Sequence, residues 1–198
     1  MHFSFLHPYK IDTQTIDVKK AKKIGRMRHF FYTVPELDLQ ELSKAYDIFP
    51  VELSNFYNEM GFGLLNRHKG KLNLLLDPVS LINTNQRLGY FKDDAAIMAA
   101  MEYCENNDQL LFFKTYSNQY LSINIKDDMG KNAVFYKGKQ IQNSLYEFLE
   151  ECDNNKKYFD KLDDKVAEKK RKKDNDINAQ DKYKDKKRIA GHILIDPY

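Results

Sequence analysis

The segment Phe49-Pro-Val-Glu-Leu-Ser-Asn-Phe-Tyr-Asn-Glu-Met-Gly-Phe-Gly-Leu-Leu65 changes character once, and the change falls on a glycine. Pro50 suits a helix start, because its fixed φ fits the first turn and its missing N–H is no loss there. Leu53, Phe56, Tyr57 and Met60 recur at three- and four-residue steps, lining up one apolar helical face. Gly61 follows, the residue best able to take the left-handed conformation that closes a helix. Phe62-Gly63-Leu64-Leu65 then reads as the start of a strand. A helix that ends on glycine and runs straight into a strand determines how that helix lies on a sheet.

Upstream, Pro35-Glu36 opens an earlier helix with Leu39, Leu42 and Tyr46 on one stripe and acids in its first turn, where the helix dipole favours them. Residues 28–32 read as a short strand or turn, and the aromatic first ten residues as a strand or an arm packed on the body. Downstream, 62–66 and 72–76 flank a turn ending on Gly70 and are expected to form a hairpin. Asp77-Pro78 stops the second strand, and a short helix or irregular crossover follows. Asp93-Asp94 begins a helix over 95–104, apolar on nearly every side and therefore expected to be well buried, or amphipathic at best. Strands are expected at 110–114, 120–125 and 133–136, the second with Leu121, Ile123 and Ile125 facing one way. Ser144, with Glu147 three residues on, forms a capping box, and Leu145, Phe148, Leu149 and Cys152 make a buried face. That stripe continues sparsely through Tyr158 or Phe159, Leu162 and Val166. One helix is therefore expected from Ser144 to about Lys173, roughly 45 Å long at 1.5 Å per residue. The expected fold class is α+β: a mainly antiparallel, curved sheet with helices packed on one face, plus a long C-terminal helical extension.

Two of these passages resemble the Smi1/Knr4 (SUKH) superfamily. Its members carry a leucine–proline, helix, Asn-Gly-Gly passage, and Phe49-Pro50 and Met60-Gly61-Phe62-Gly63 stand at those places. Asn143-Ser144-Leu145-Tyr146-Glu147-Phe148-Leu149 resembles the serine–phenylalanine–x–x–phenylalanine–leucine helix that closes such domains. The strand pair around the acidic loop 126–131 is similar to the family's hairpin. On this resemblance Pro50, Gly61, Gly63, Ser144, Phe148 and Leu149 are signature positions with a structural role. It spans residues 34–152, leaving an N-terminal arm (1–33) and a charged, Lys-rich C-terminal extension (153–198). It implies a bacterial immunity protein, which binds a cognate polymorphic toxin and blocks its active site or a neighbouring surface.

Composition is compatible with that expectation. Of 198 residues, 42% are hydrophobic and 13 each are Phe and Tyr, enough for a real core. Charged residues at 31% and a mean hydropathy of −0.69 mean that part of the chain is solvated. No apolar run approaches the ~20 residues that span a bilayer, and the start lacks the regions of a signal peptide. With Cys104 and Cys152 far apart in helical patterns and expected as buried thiols, the chain reads as cytoplasmic. The net charge of +3 conceals a segregation: residues 1–28 and 153–188 each sum to +5, whereas 29–152 sum to −6. An acidic body with basic ends favours a positively charged partner for the body, through long-range attraction.

Catalytic chemistry is not expected. His2, His7, His29, His68 and His192 form no i, i+4 pair and lie near no cysteine at ligand spacing, so neither a metal nor a cofactor is expected. The Gly61-Phe-Gly63 passage follows a helix instead of preceding one, the wrong order for a dinucleotide site, and no serine lies in a nucleophile elbow. The Lys-rich tail interleaves nine acids with fourteen bases, reading as a solvated, partly disordered segment; nucleic-acid binding through it is an alternative. A scaffold or regulatory module of the same fold is another. Asp77, Asp93, Asp94, Glu102, Glu105, Asp108, Asp127 and Asp128 are the candidate partner-binding residues, mostly at loops and element ends. They would suit a basic toxin, a nuclease being one such class.

Overall fold

Eight strands follow one another across a single open sheet in chain order. They are β1 (Lys10–Ile11), β2 (Phe30–Tyr32), β3 (Phe62–His68), β4 (Lys71–Leu75), β5 (Gln109–Lys114), β6 (Tyr120–Asn124), β7 (Val134–Tyr136) and β8 (Lys139–Gln142). All pairs are antiparallel except β1 with β2. Register shifts in the β3–β4, β5–β6 and β7–β8 pairs are the kind that bend a sheet. The helices are α1 (Glu36–Ala45), α2 (Val51–Glu59), α3 (Pro78–Gln86), α4 (Ala95–Cys104) and α5 (Leu145–Asn154). This computed structural model describes residues 2–11, 22–68, 70–104 and 108–162. The chain divides into two units, Met1–Phe159 and Asp160–Tyr198; of the second, 160–162 are described. The α+β class and the mainly antiparallel sheet are as expected.

Helix α2 behaves as its spacing dictates. Pro50 is its N-cap, and Leu53, Phe56, Tyr57 and Met60 are all buried. Gly61 closes it at φ +103°, donating its N–H to the Phe56 carbonyl at 3.0 Å. Gly61 and Gly63 also let β3 lie close to β2. A Cβ at Gly61 would lie 1.8 Å from the Tyr32 carbonyl oxygen, and one at Gly63 2.1 Å from that of Phe30.

The helices α2 and α5 share the face lined by Phe31, Leu75 and Phe113. Phe56 meets Phe31 edge-on at 5.4 Å, and Phe148 meets Phe113 at 5.5 Å. The first residues complete this layer as an arm containing a 3-10 turn, Ser4–Tyr9. Phe3 is buried against Phe56, and its N–H donates to Glu59 at 2.8 Å. Strands β5 and β6 are buried on both faces, and α4 lies against these two. Where β4 ends, the Asn85 side chain of α3 continues its ladder. Its amide donates to the Leu111 carbonyl at 2.8 Å and accepts from the Leu111 N–H at 2.9 Å.

Two features differ from expectation. The helix expected from Ser144 to about Lys173 ends at Asn154, because Asn155 turns extended and its side chain accepts the Lys157 N–H at 3.0 Å. The turn carries Tyr158 and Phe159 back to the core, where Phe159 stacks on Phe113 at 5.2 Å. The rest of the expected helical extension lies outside the described residues. Strand β8, absent from the pattern reading, follows a tight turn at Lys137-Gly138, both at positive φ, and buries only Ile141 of its four residues.

One buried side chain holds the ends of this layer together. Glu52, 1% exposed, accepts the N–H groups of Asn132 (2.6 Å), Leu145 (2.9 Å) and Tyr146 (3.3 Å), while Asn132 Oδ1 accepts from the Glu52 N–H at 2.9 Å. Ser144 takes the next donor, Glu147 N–H at 3.0 Å, as the capping pattern requires.

Replacing Glu52 with Ala orphans three backbone donors and is expected to cost about 3–5 kcal/mol, read by urea unfolding. A loss below about 1 kcal/mol would contradict this assignment. Gly61→Ala is expected to cost about 3 kcal/mol or more, since its Cβ meets backbone that cannot swing aside. An unchanged thermal midpoint would show that β2 and β3 are not held at this separation.

Candidate functional site

The acidic positions divide by what their carboxylates do. Asp77 is the N-cap of α3, accepting the Ser80 N–H at 2.9 Å. Asp94 opens α4 by accepting from Ala96 at 2.8 Å and Ile97 at 3.2 Å. Asp127 accepts the Gly130 N–H at 2.7 Å, and Asp108 is paired with Lys126 at 2.8 Å. Asp93, Glu102 and Asp128 are exposed, with no ion pair among the described residues. Glu105 lies outside the described residues. The structure thus brings Asp93, Asp94 and Glu102 to one helix and its entry, and places Asp127 and Asp128 in the β6–β7 loop.

The helix α4, with the bounds expected from its sequence, carries that group. Only Ile97 and Cys104 of its ten residues are buried. Ala95, Met98, Ala99, Glu102 and Tyr103 face solvent, a single stripe at helical spacing. Met98 is 47% exposed, Tyr103 43%, and Tyr90 in the preceding 3-10 turn, Gly89–Phe91, 87%. Of the two expectations for this helix, the amphipathic one matches, with burial on one side alone.

Electrostatics ties this surface to the sheet. The Tyr120 phenol, at the start of β6, is pushed up to about 12, first by burial and then by the nearby charges of Asp94 and Tyr90. At the C-terminal end of α4 the Tyr103 ring lies against the β7–β8 turn, where a Cβ at Gly138 would come within 2.7 Å of it. A shallow groove of about 760 Å³ elsewhere, between α1 and α2, is lined by polar and apolar side chains alike, with no nucleophile and base brought together. Among the described residues no three His, Cys, Asp or Glu could hold a metal ion, and no helix is long and apolar enough to cross a membrane.

The chain is 35% identical over 136 residues to "Immunity protein YxxD" of Bacillus subtilis (strain 168). The match covers 68% of this chain and 90% of that protein. This chain belongs to the YxxD immunity-protein family. No family model matches it, and no solved structure does.

In this member of the YxxD family the histidine that is fully buried serves structure. His29 accepts the Asn66 N–H at its Nδ1 (2.9 Å), and its Nε2 lies 2.8 Å from the Arg28 Nε–H and 3.1 Å from an Asp153 carboxylate oxygen. Asp153 also pairs with Arg28 at 2.5 Å. Burial, then the Arg28 charge, lowers the His29 pKa to about 4, against the opposing pull of Asp153. Between pH 6.5 and 4 the unfolded chain therefore binds a proton that the folded chain refuses. His29 stabilises the fold fully above about pH 6.5, and that contribution declines as pH falls. The expected loss is about 2–3 kcal/mol by pH 4, measured by urea unfolding across this range. In His29→Asn the slope over this interval should flatten; an unchanged slope would assign it to other groups.

Proposed function

We propose that this protein is an immunity protein that binds a cognate polymorphic toxin domain and neutralises it by contact, performing no reaction. The carrying observation is the 35% identity along 90% of the YxxD immunity protein. An inhibitor of this kind needs a shaped surface, and among the described residues no nucleophile and base are brought together. We place the chain among the Smi1/Knr4-type immunity proteins, with 34–152 as the family domain. The order of two helices, a hairpin, a crossover, a strand meander and a Ser-capped helix supports that placement.

On this reading the toxin presents a basic surface, as nuclease domains do, and meets it in the cytoplasm. The charge of −6 on residues 29–152 supports it, because an acidic body speeds encounter with a basic partner. Asp93, Glu102 and Asp128 extend carboxylates into solvent, where a partner's cations can reach them. Asp77 and Asp94 contribute field while capping helices, Asp127 while accepting the Gly130 N–H, and Asp108 while paired with Lys126.

Co-expression decides the matter. Cells expressing a toxin encoded beside this gene are expected to survive when the protein is present, and the two should elute as one stoichiometric complex from a sizing column. Failure both to protect against every neighbouring toxin and to co-purify with any would refute the reading.

A further inference from the structure

Helix α4 has an outward face of unusual composition. A surface helix ordinarily turns charged and polar residues to water, yet here Ala95, Met98, Ala99 and Tyr103 line the solvent side and Glu102 supplies the one charge. Tyr90, 87% exposed, and Leu88, 46% exposed, extend the apolar surface beyond the helix entry. Contiguous exposed apolar surface rimmed by charge marks an interaction site. Tyr and Met are also among the residues enriched where proteins meet.

We propose that this face of α4, with Tyr90, is the surface that seats the toxin, and that the toxin surface seated there is basic around an apolar centre. The proposal rests on the immunity reading and names its contact face. Charge selects the occupant. Asp93 and Asp94 sit at the entry of α4 and Glu102 on its outward stripe, against one exposed cation in the same segment, Lys92. Arg87 is folded back onto the Lys92 carbonyl at 2.7 Å, and Lys137 in the turn beside Tyr103 lies over the Tyr136 ring at 5.0 Å. A basic toxin surface therefore meets the carboxylates of Asp93, Asp94 and Glu102 beside the apolar Met98 and Tyr103, with Tyr90 beyond the helix entry. Position supports the assignment as well: α4 is backed by β5 and β6, strands buried on both faces, so the platform is rigid before binding.

A second uncovered surface competes for the role. The face of β3–β5 bearing Leu64, Leu72, Leu74, Lys71, Lys114 and Tyr116 holds no carboxylate among the described residues and would fit an acidic partner.

The two are separated by titrating the full-length protein with the toxin domain encoded beside its gene, carried in catalytically inactive form. Met98→Arg with Ala99→Arg puts bulk and like charge at the proposed centre and is expected to weaken binding by about 30-fold or more. Asp93→Lys with Glu102→Lys is expected to lower the association rate about 10-fold and to flatten its dependence on salt. Leu72→Arg with Lys114→Glu is expected to bind as the unaltered protein does. All six positions touch solvent, and thermal unfolding checks that each variant is folded. Full affinity in the Met98/Ala99 variant, or loss confined to the Leu72/Lys114 variant, overturns the proposal. If the unaltered protein binds none of the neighbouring toxins, the immunity reading falls and this contact face with it.

Discussion

A carboxylate placed inside a protein is costly unless its oxygens are saturated by donors, and Glu52 meets that condition with backbone alone. Its two oxygens accept from Asn132, Leu145 and Tyr146, residues about eighty and ninety positions away along the chain. Two of those donors are the first N–H groups of α5, which would otherwise be unsatisfied at a buried helix start. The negative charge also lies where the helix dipole favours one. A single residue on α2 thereby fixes the start of α5 and the loop entering β7. Asn132 completes the lock by bonding back to the Glu52 N–H and to the Asn124 carbonyl at 3.1 Å.

Once α2 and α5 are tied at that end, aromatic pairs help to set how they lie on the sheet. Phe3, Phe31 and Phe56 meet edge to face on one side; on the other, Phe148 meets Phe112, Phe113 and Tyr158 edge to face, and Phe159 stacks on Phe113. Such pairs have preferred angles, so they orient helices on a sheet more sharply than aliphatic contacts do. The arm takes part in this set: Phe3 and Leu6 are 0% exposed, and Glu59 receives both the Phe3 N–H and the His7 ring at 2.7 Å.

Pattern reading succeeded wherever a local rule and the tertiary structure ask for the same residue. Gly61 is needed both to close α2 and to let the Tyr32 carbonyl approach, and Ser144 both caps α5 and sits beside the Glu52 lock. It failed where a long-range partner decided the outcome. The apolar spacing through Tyr158 and Phe159 matches a continuing helix, but those rings gain more from folding back onto Phe113 and Phe148 than from projecting on a rod. Strand β8 is polar except at Ile141, so only the Lys137-Gly138 turn announces it. Glu52 carries no local sign of its role, because the groups it satisfies are remote in sequence. For the candidate site, the acidic residues were visible as charges, but which of them are spent as caps depends on backbone geometry that spacing does not specify.

The outward face of α4 shows how the fold and the proposed function bear on each other. Burying an apolar helix completely would need a further layer over β5 and β6, and the described chain provides none there. The inner residues Ile97 and Cys104 suffice to hold the helix, while the outer ones leave apolar surface in water at a cost of about 25 cal/mol for each Å². A stable monomer could remove that cost by changing Met98 or Ala99 to a lysine or glutamate with no loss of packing. Apolar side chains at those positions therefore make most physical sense when another surface covers them. The carboxylates at the rim then act before contact, by attraction, and the apolar centre acts after it, by excluding water. Division of labour of that kind needs a rigid platform and no moving parts, and the saturated Glu52 lock and the doubly buried strands beneath α4 provide one.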